Sequence, residues 1–274
     1  MPESFTAITP EARAFYGREG VVCLRSILSP DWVATARAGI ETSFANPGPF
    51  FRDYTEEGSP GRYTFDYWNW QAIPEFRALA FQSPLPQLAA DLLRAERLTL
   101  LMDNWFTREA GATNGAPWHH DEPYFDYDGG AKCVVWFPLE DSSAAEGLTF
   151  LGGSHAWGKL YMARNFSTRA PFEGDMSNYC EPEDFNAYAD RYLSWDVAAG
   201  DCLIFHFRTL HRATNDTKPL DRTISRMSLR FGDQDVRFKP RGSWTEEISR
   251  HVIAQGQAAN APIDCPLLPE VFRR

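Results

Sequence analysis

The sequence predicts a mainly β fold, a sandwich or barrel, with helices ahead of it. Three observations carry that reading. Short β-rich runs at 98–108, 132–139, 147–151, 202–207 and 223–231 alternate with clusters of Gly, Pro and Asp, the spacing of a multi-stranded β architecture. Helical periodicity is concentrated before residue 98. The 274 residues, 43% hydrophobic and 14% aromatic, suffice for one large core and leave no composition typical of disorder.

The elements follow in order. Ser29-Pro30-Asp31 is a helix start, a capping Ser followed by Pro in the first turn. Trp32, Val33, Ala36 and Ile40 then keep helical spacing until Asn46-Pro47-Gly48 ends the run. A second start at Ser83-Pro84 precedes one apolar face made by Leu85, Leu88, Ala89, Leu92 and Leu93. The strands come next, interrupted by an insert at 156–196 that is rich in aromatics and acids, with a short helix expected at Glu183–Leu193. Inserts of that length between core strands often serve as active-site lids. The chain thus reads as a single domain over 1–274: a helical part over about 1–97, a β core over about 98–232 and a C-terminal extension over 233–274.

Trp118-His119-His120-Asp121 carries the chemistry. On a strand, residues i and i+2 share a face, so His119 and Asp121 point together and His120 points away. An imidazole and a carboxylate on one face are two thirds of the facial triad of non-haem Fe(II) oxygenases. His211 is the candidate third ligand, with His206 as its competitor and His120 as a competitor to His119. Arg222 lies eleven residues after His211, across the turn-rich Asn215–Asp221 segment, and offers a bidentate fork for a carboxylate. Arg226, four residues further along the same strand, is its rival.

In this order of motifs the chain resembles the phytanoyl-CoA dioxygenase family of Fe(II)/2-oxoglutarate oxygenases. Besides His119-x-Asp121, His211 and Arg222, the segments Trp105–Gly111, Pro117–Asp121, Glu146–His155 and Gly200–His206 are similar to family motifs. His120, Glu146 and Gly152 depart from them. The resemblance implies a double-stranded β-helix, the jelly roll of cupin-like folds. It also implies Fe(II) held by His119, Asp121 and His211, 2-oxoglutarate gripped through Arg222, and O2 as oxidant. Asn104 and Trp136 stand at the family's other cosubstrate positions, while Ala213 falls where a hydroxyl side chain is common. Asp121 argues against halogenation, which in such enzymes replaces the metal carboxylate with a small residue.

Charge and composition exclude other classes. A formal charge of −10 is contrary to a nucleic-acid groove and to a highly anionic substrate such as an acyl-CoA, unless Arg108, Lys132, Arg164, Arg208 and Arg212 converge. No apolar run is long enough to cross a bilayer, and Met1–Phe5 lacks a secretory pattern. The dispersed Cys23, Cys133, Cys180, Cys202 and Cys265 read as reduced thiols of a cytoplasmic protein. The expected activity is hydroxylation or another oxidation of a small organic molecule. Tyr63–Trp70, Tyr124 and Phe125 point to an apolar or aromatic pocket. A cupin-like isomerase or a dioxygenase without 2-oxoglutarate is the alternative, and it would have no use for the Arg222 fork. A non-catalytic barrel would be expected to have lost a triad residue. The oligomeric state is not encoded in any motif.

Overall fold

The computed structural model describes residues 1–55, 57–112, 115–166, 168–214 and 219–274. In chain order they form α1 (Pro10–Glu19), β1 (Val21–Leu24), α2 (Pro30–Ala45), β2 (Arg52–Asp53), β3 (Tyr63–Tyr67), α3 (Pro74–Gln82) and α4 (Leu85–Leu93). The long β4 (Arg97–Arg108) follows, then β5 (Tyr127–Asp128), β6 (Lys132–Pro138), β7 (Leu148–Leu151) and β8 (Tyr192–Leu193). The order is completed by β9 (Cys202–His206), β10 (His211–Ala213), β11 (Ile224–Asp233), β12 (Arg237–Phe238), α5 (Glu246–Ala254), β13 (Ala261–Pro262) and β14 (Glu270–Arg273).

Among the described residues, eight strands form one sheet in the order β1-β9-β6-β11-β4-β3-β2, with β14 also paired to β4. A three-stranded sheet, β10-β7-β8, closes over it where Phe150 of β7 packs on Phe205 of β9, ring centroids 5.1 Å apart. The two sheets are the double-stranded β-helix that the resemblance implies. A second small sheet, β13-β12-β5, lies in the C-terminal part.

The start of α2 arises from the residues that signal it, whereas at the expected Ser83-Pro84 start α4 has Pro84 as its N-cap and no side-chain cap. The Ser29 side chain accepts the Trp32 N–H, and Pro30 occupies the first turn of α2. The same chemistry operates at α1, where Thr9 accepts from Ala12 N ahead of Pro10. That start, α3 and α5 lie outside the sequence expectation. The predicted helix at Glu183–Leu193 is a 3-10 turn over Phe185–Arg191 that runs directly into β8. The expected turn at Asn215–Asp221 falls mostly on residues 215–218, which lie outside the described residues. No helix is long and apolar enough to cross a membrane among the described residues.

Strand β4 shows how the core positions the site. Its alternate residues Asp103, Trp105 and Thr107 are buried on one face, and a register shift at Leu101 breaks the alternation ahead of them. On that face Trp105 donates its indole N–H to Ser43 of α2 at 2.9 Å and packs on Phe44. Met102, Asn104, Phe106 and Arg108 project from the other face into an internal cavity. Helix α2 accepts α3 closely because Gly39 has no side chain; a Cβ there would lie 2.4 Å from Cε1 of Phe76.

Asp103 is almost fully buried and accepts the Asn69 N–H at 3.1 Å. Burial pushes its pKa up to about 7, above the unfolded value of about 3.9. The folded state therefore holds this proton more tightly, and the stability so gained is lost as pH rises through the folded value. Between about pH 5 and about pH 8, the urea midpoint of the wild type is expected to fall further than that of Asp103→Asn, which has no proton to lose. Parallel midpoints would remove Asp103 as the source.

Candidate metal centre

His119 and His211 are joined by reciprocal backbone hydrogen bonds, His119 N to His211 O at 2.9 Å and His211 N to His119 O at 2.8 Å. The isolated bridge aligns the first residue of β10 with the histidine of the His-x-Asp motif. The expected strand around Asp121 does not form. Asp121 has φ −69° and ψ −30° and begins the 3-10 turn Glu122–Tyr124. Pro123 has no N–H for a strand ladder, and Tyr124 N donates back to Asp121 O. The two side chains converge nevertheless, because the turn swings the carboxylate beneath both imidazoles.

One ligand atom from each of His119, Asp121 and His211 lies within 4.8 Å of the others. His119 Nε2 is 3.6 Å and His211 Nε2 3.8 Å from Oδ1 of Asp121. Each histidine turns Nδ1 to a backbone carbonyl, of Pro117 at 2.8 Å and of Thr209 at 2.9 Å. That contact places a proton on Nδ1 and leaves the Nε2 lone pair facing the carboxylate. Burial pushes the His119 pKa down to about 3 and lowers that of His211. Neutral imidazoles beside one carboxylate are the donor set that a divalent transition metal requires.

The carboxylate is held from behind. Arg230 of β11 donates Nε–H to Oδ2 of Asp121 at 2.9 Å and Nη1–H to Oδ1 of Asn104 at 2.9 Å. Its guanidinium lies 4.5 Å from the Phe125 ring centroid. Burial raises the Asp121 pKa, but Arg230 and the two histidines outweigh it and hold the carboxyl below its usual value. The pair divides the carboxylate between two tasks: Oδ2 is tied down and Oδ1 faces the imidazoles.

The three residues line a cavity of about 420 Å³. Its wall is a grid set by strand register. Tyr67, Asn104, Ser228 and Trp136 form one cross-strand row, and Phe65, Phe106 and Arg226 form the next. Tyr63, Phe65 and Tyr67 alternate into the cavity, with the Phe65 and Tyr67 rings stacked at 8°. Across from them stands the 156–196 insert. Its Phe166 packs on His119, centroids 4.7 Å apart, and its Arg164 N–H donates to the Tyr124 hydroxyl at 2.9 Å.

The structure brings most of the predicted site residues together. Asn104 and Trp136 line the same cavity as the triad. Asn104 accepts hydrogen bonds from Ser228 and Arg230, and the buried Trp136 Nε1 has no partner among the described residues. Tyr124 and Phe125 line the cavity too, whereas Trp68 and Trp70 are core residues that donate to Leu101 O and Leu267 O. Of the competing histidines, His120 accepts the Tyr161 N–H and His206 accepts the Arg208 N–H. Arg222 is placed elsewhere. It precedes β11, is absent from the cavity lining, and grips Glu146 through two hydrogen bonds of 2.8 and 3.0 Å. The Arg222 fork lowers the Glu146 pKa to about 2. The five basic residues do not converge: Arg108 and Arg164 line the cavity, Lys132 and Arg208 face Glu122, and Arg212 stacks on Trp118. Sequence reasoning missed Arg230, although Arg226, Ser228 and Arg230 repeat at the strand period.

The family model described as phytanoyl-CoA dioxygenase (PhyH) matches residues 16–223. The chain is similar to the non-haem α-ketoglutarate-dependent carbocyclase SnoK from nogalamycin biosynthesis, with a TM-score of 0.75 at 21% identity over 99% of this chain and 100% of that one. It is also similar to the epimerase SnoN in complex with Fe3+, α-ketoglutarate and nogalamycin RO, with a TM-score of 0.76 at 20% identity over 96% and 98% of the two chains. EctD from S. alaskensis superposes with a TM-score of 0.65 at 18% identity, over 86% of this chain and 81% of that one. No curated protein matches the sequence.

Proposed function

The chain belongs to the phytanoyl-CoA dioxygenase family, and from that premise we propose that it is an Fe(II)/2-oxoglutarate-dependent enzyme that oxidises a small organic molecule. The observation that carries the reading is the convergence of two neutral imidazoles and one ionised carboxylate on a single cavity. His119, Asp121 and His211 are the metal ligands in this reading. Three protein ligands leave positions for a chelating 2-oxo acid and for O2. When bound, the iron and the 2-oxo acid together supply the activation of O2 that oxidises an unreactive C–H bond.

The chain's own residues supply the rest. The Nδ1 contacts of the histidines and the Arg230–Asp121 pair orient the ligands before any metal arrives. Asn104 and Trp136 stand in the wall as polar contacts for the cosubstrate. Phe166 and Tyr124 shield His119 from water, and the Tyr63, Phe65 and Tyr67 face gives the pocket its aromatic character. We infer an apolar or aromatic substrate of modest size. The similar structures include a carbocyclase and an epimerase, two different outcomes.

One observation favours a second reading, a dioxygenase or isomerase that does not use 2-oxoglutarate: the Arg222 fork is already filled by Glu146. Anaerobic addition of 2-oxoglutarate to the Fe(II)-loaded protein separates the two. A weak visible absorption from the chelate, and succinate release once oxygen is admitted, are expected. Fe(II) binding with neither signal would leave the second reading in its place.

A further inference from the structure

The turn that carries Asp121 is held from outside. Asp121, Glu122, Asp126 and Tyr127 are almost wholly buried, yet β5 takes in only the last of them, and Asp121 O is met from within by Tyr124 N. Buried backbone carbonyls need donors, and here the C-terminal extension brings them. Trp244 Nε1 donates to Pro123 O at 2.8 Å and Arg241 Nε to Phe125 O at 3.1 Å. Lys239 N donates to Asp126 O and Arg241 Nη2 to Tyr127 O, both at 2.7 Å. The side chains of the turn meet the same segment. Asp126 accepts from Arg241 N at 2.9 Å and from the Ser249 hydroxyl, and Glu122 Oε1 accepts from Arg241 Nη2 at 3.2 Å. All these donors follow residue 223, where the family match ends.

We propose that Arg241 is a positioning residue of the metal centre, through which the C-terminal extension sets where Asp121 presents its carboxylate. The inference rests on the metal ligands proposed above. One guanidinium, its side chain 8% exposed, bonds to Glu122, Phe125 and Tyr127 and so spans the turn from the residue after the ligand to the start of β5. It reaches the carboxylate by two routes. The first is the backbone between Asp121 and Glu122. The second is Phe125, whose ring lies under the Arg230 guanidinium that ties down Oδ2 of Asp121. A planar fork can serve three acceptors held apart in this way, and an ammonium on a flexible stem cannot. Lys132 stands 3.4 Å from the same oxygen of Glu122, so that glutamate keeps a cation beside it when Arg241 is replaced.

The test measures Fe(II) affinity by anaerobic calorimetry in the full chain, with urea midpoints of the metal-free proteins beside it. Gln257→Ala is the control. Gln257 is 2% exposed, and its side chain bonds to Pro262 O and Asp264 N within the extension. Arg241→Met is expected to bind Fe(II) about 10–100-fold more weakly, the cost of losing a residue that orients a ligand, while Gln257→Ala loses stability and keeps wild-type affinity. The sign separates the other roles. If Arg241 acted through its charge, removing a cation would tighten metal binding. If it only supported the fold, the urea midpoint would fall and the affinity would stay. Tighter or unchanged binding in Arg241→Met therefore overturns the proposal, as does an equal loss of affinity in Gln257→Ala. If Arg241→Met does not fold, Arg241→Lys serves: weaker binding supports the proposal, and unchanged binding sinks it. Equal affinity in the wild type and Arg241→Met defeats this inference alone, whereas a wild type that binds no Fe(II) also defeats the proposed function.

Discussion

His211→Ala and His119→Ala are each expected to abolish tight Fe(II) binding. The loss should exceed the roughly 10–100-fold that removing a supporting residue costs, because in the proposed reading each imidazole supplies one of the three ligands found among the described residues. His120→Ala and His206→Ala should bind Fe(II) almost as the wild type does. Their nitrogens accept the backbone N–H groups of Tyr161 and Arg208, so loss of His120 leaves a buried donor unsatisfied, at about 1–3 kcal/mol of stability, and loss of the partly buried His206 contact costs less. Anaerobic calorimetric titration of Fe(II), paired with urea unfolding, separates the two kinds of damage. Full metal affinity in His211→Ala would remove the central assignment.

Arg230→Ala carries the second large effect, and its size should depend on whether metal is present. Without metal, the variant leaves the buried Asp121 carboxylate short of its nearest cation, a change that costs about 3–5 kcal/mol for a buried pair. A divalent ion on Oδ1 replaces much of that missing charge, so the stability deficit should shrink when Mn(II) or Fe(II) is saturating. By linkage, whatever stability the ion restores beyond its effect on the wild type appears as tighter metal binding by the variant. Urea midpoints with and without metal decide the matter. Equal deficits in both would mean that Arg230 acts through its packing on Phe125 rather than through its charge.

The outline of the site was legible because its residues announce themselves over short spans. His-x-Asp is three residues long, and His211 stands just ahead of a segment, Asn215–Asp221, whose composition reads as a turn. The strand-parity argument for His119 and Asp121 reached the right convergence through the wrong local structure, since Pro123 converts the expected strand into a 3-10 turn. Arg222 shows what spacing does not report. Its spacing from His211 fits the family, yet its partner Glu146 lies 76 residues earlier in the chain, and no local pattern reports such a pairing. Helix α1 was missed although Thr9-Pro10 bears the same cap as Ser29-Pro30. α5 was missed because its apolar face is interleaved with charges in a segment that follows the strands.

The alternation of β4 has a consequence for how this protein can change. Odd-numbered Asp103, Trp105 and Thr107 lie on the foundation side, and even-numbered Met102, Asn104, Phe106 and Arg108 face the cavity. Scaffold and chemistry are thus interleaved in sequence but separated in space, and each can drift with little penalty to the other. A library randomised at 102 and 106 should yield mostly folded proteins with altered appetites, whereas the same diversity at 103 and 105 should yield mostly unfolded ones. Deleting a single residue within the strand would exchange the two sets at a stroke, so point substitution, and not insertion or deletion, is the route open to the evolution of new specificity here.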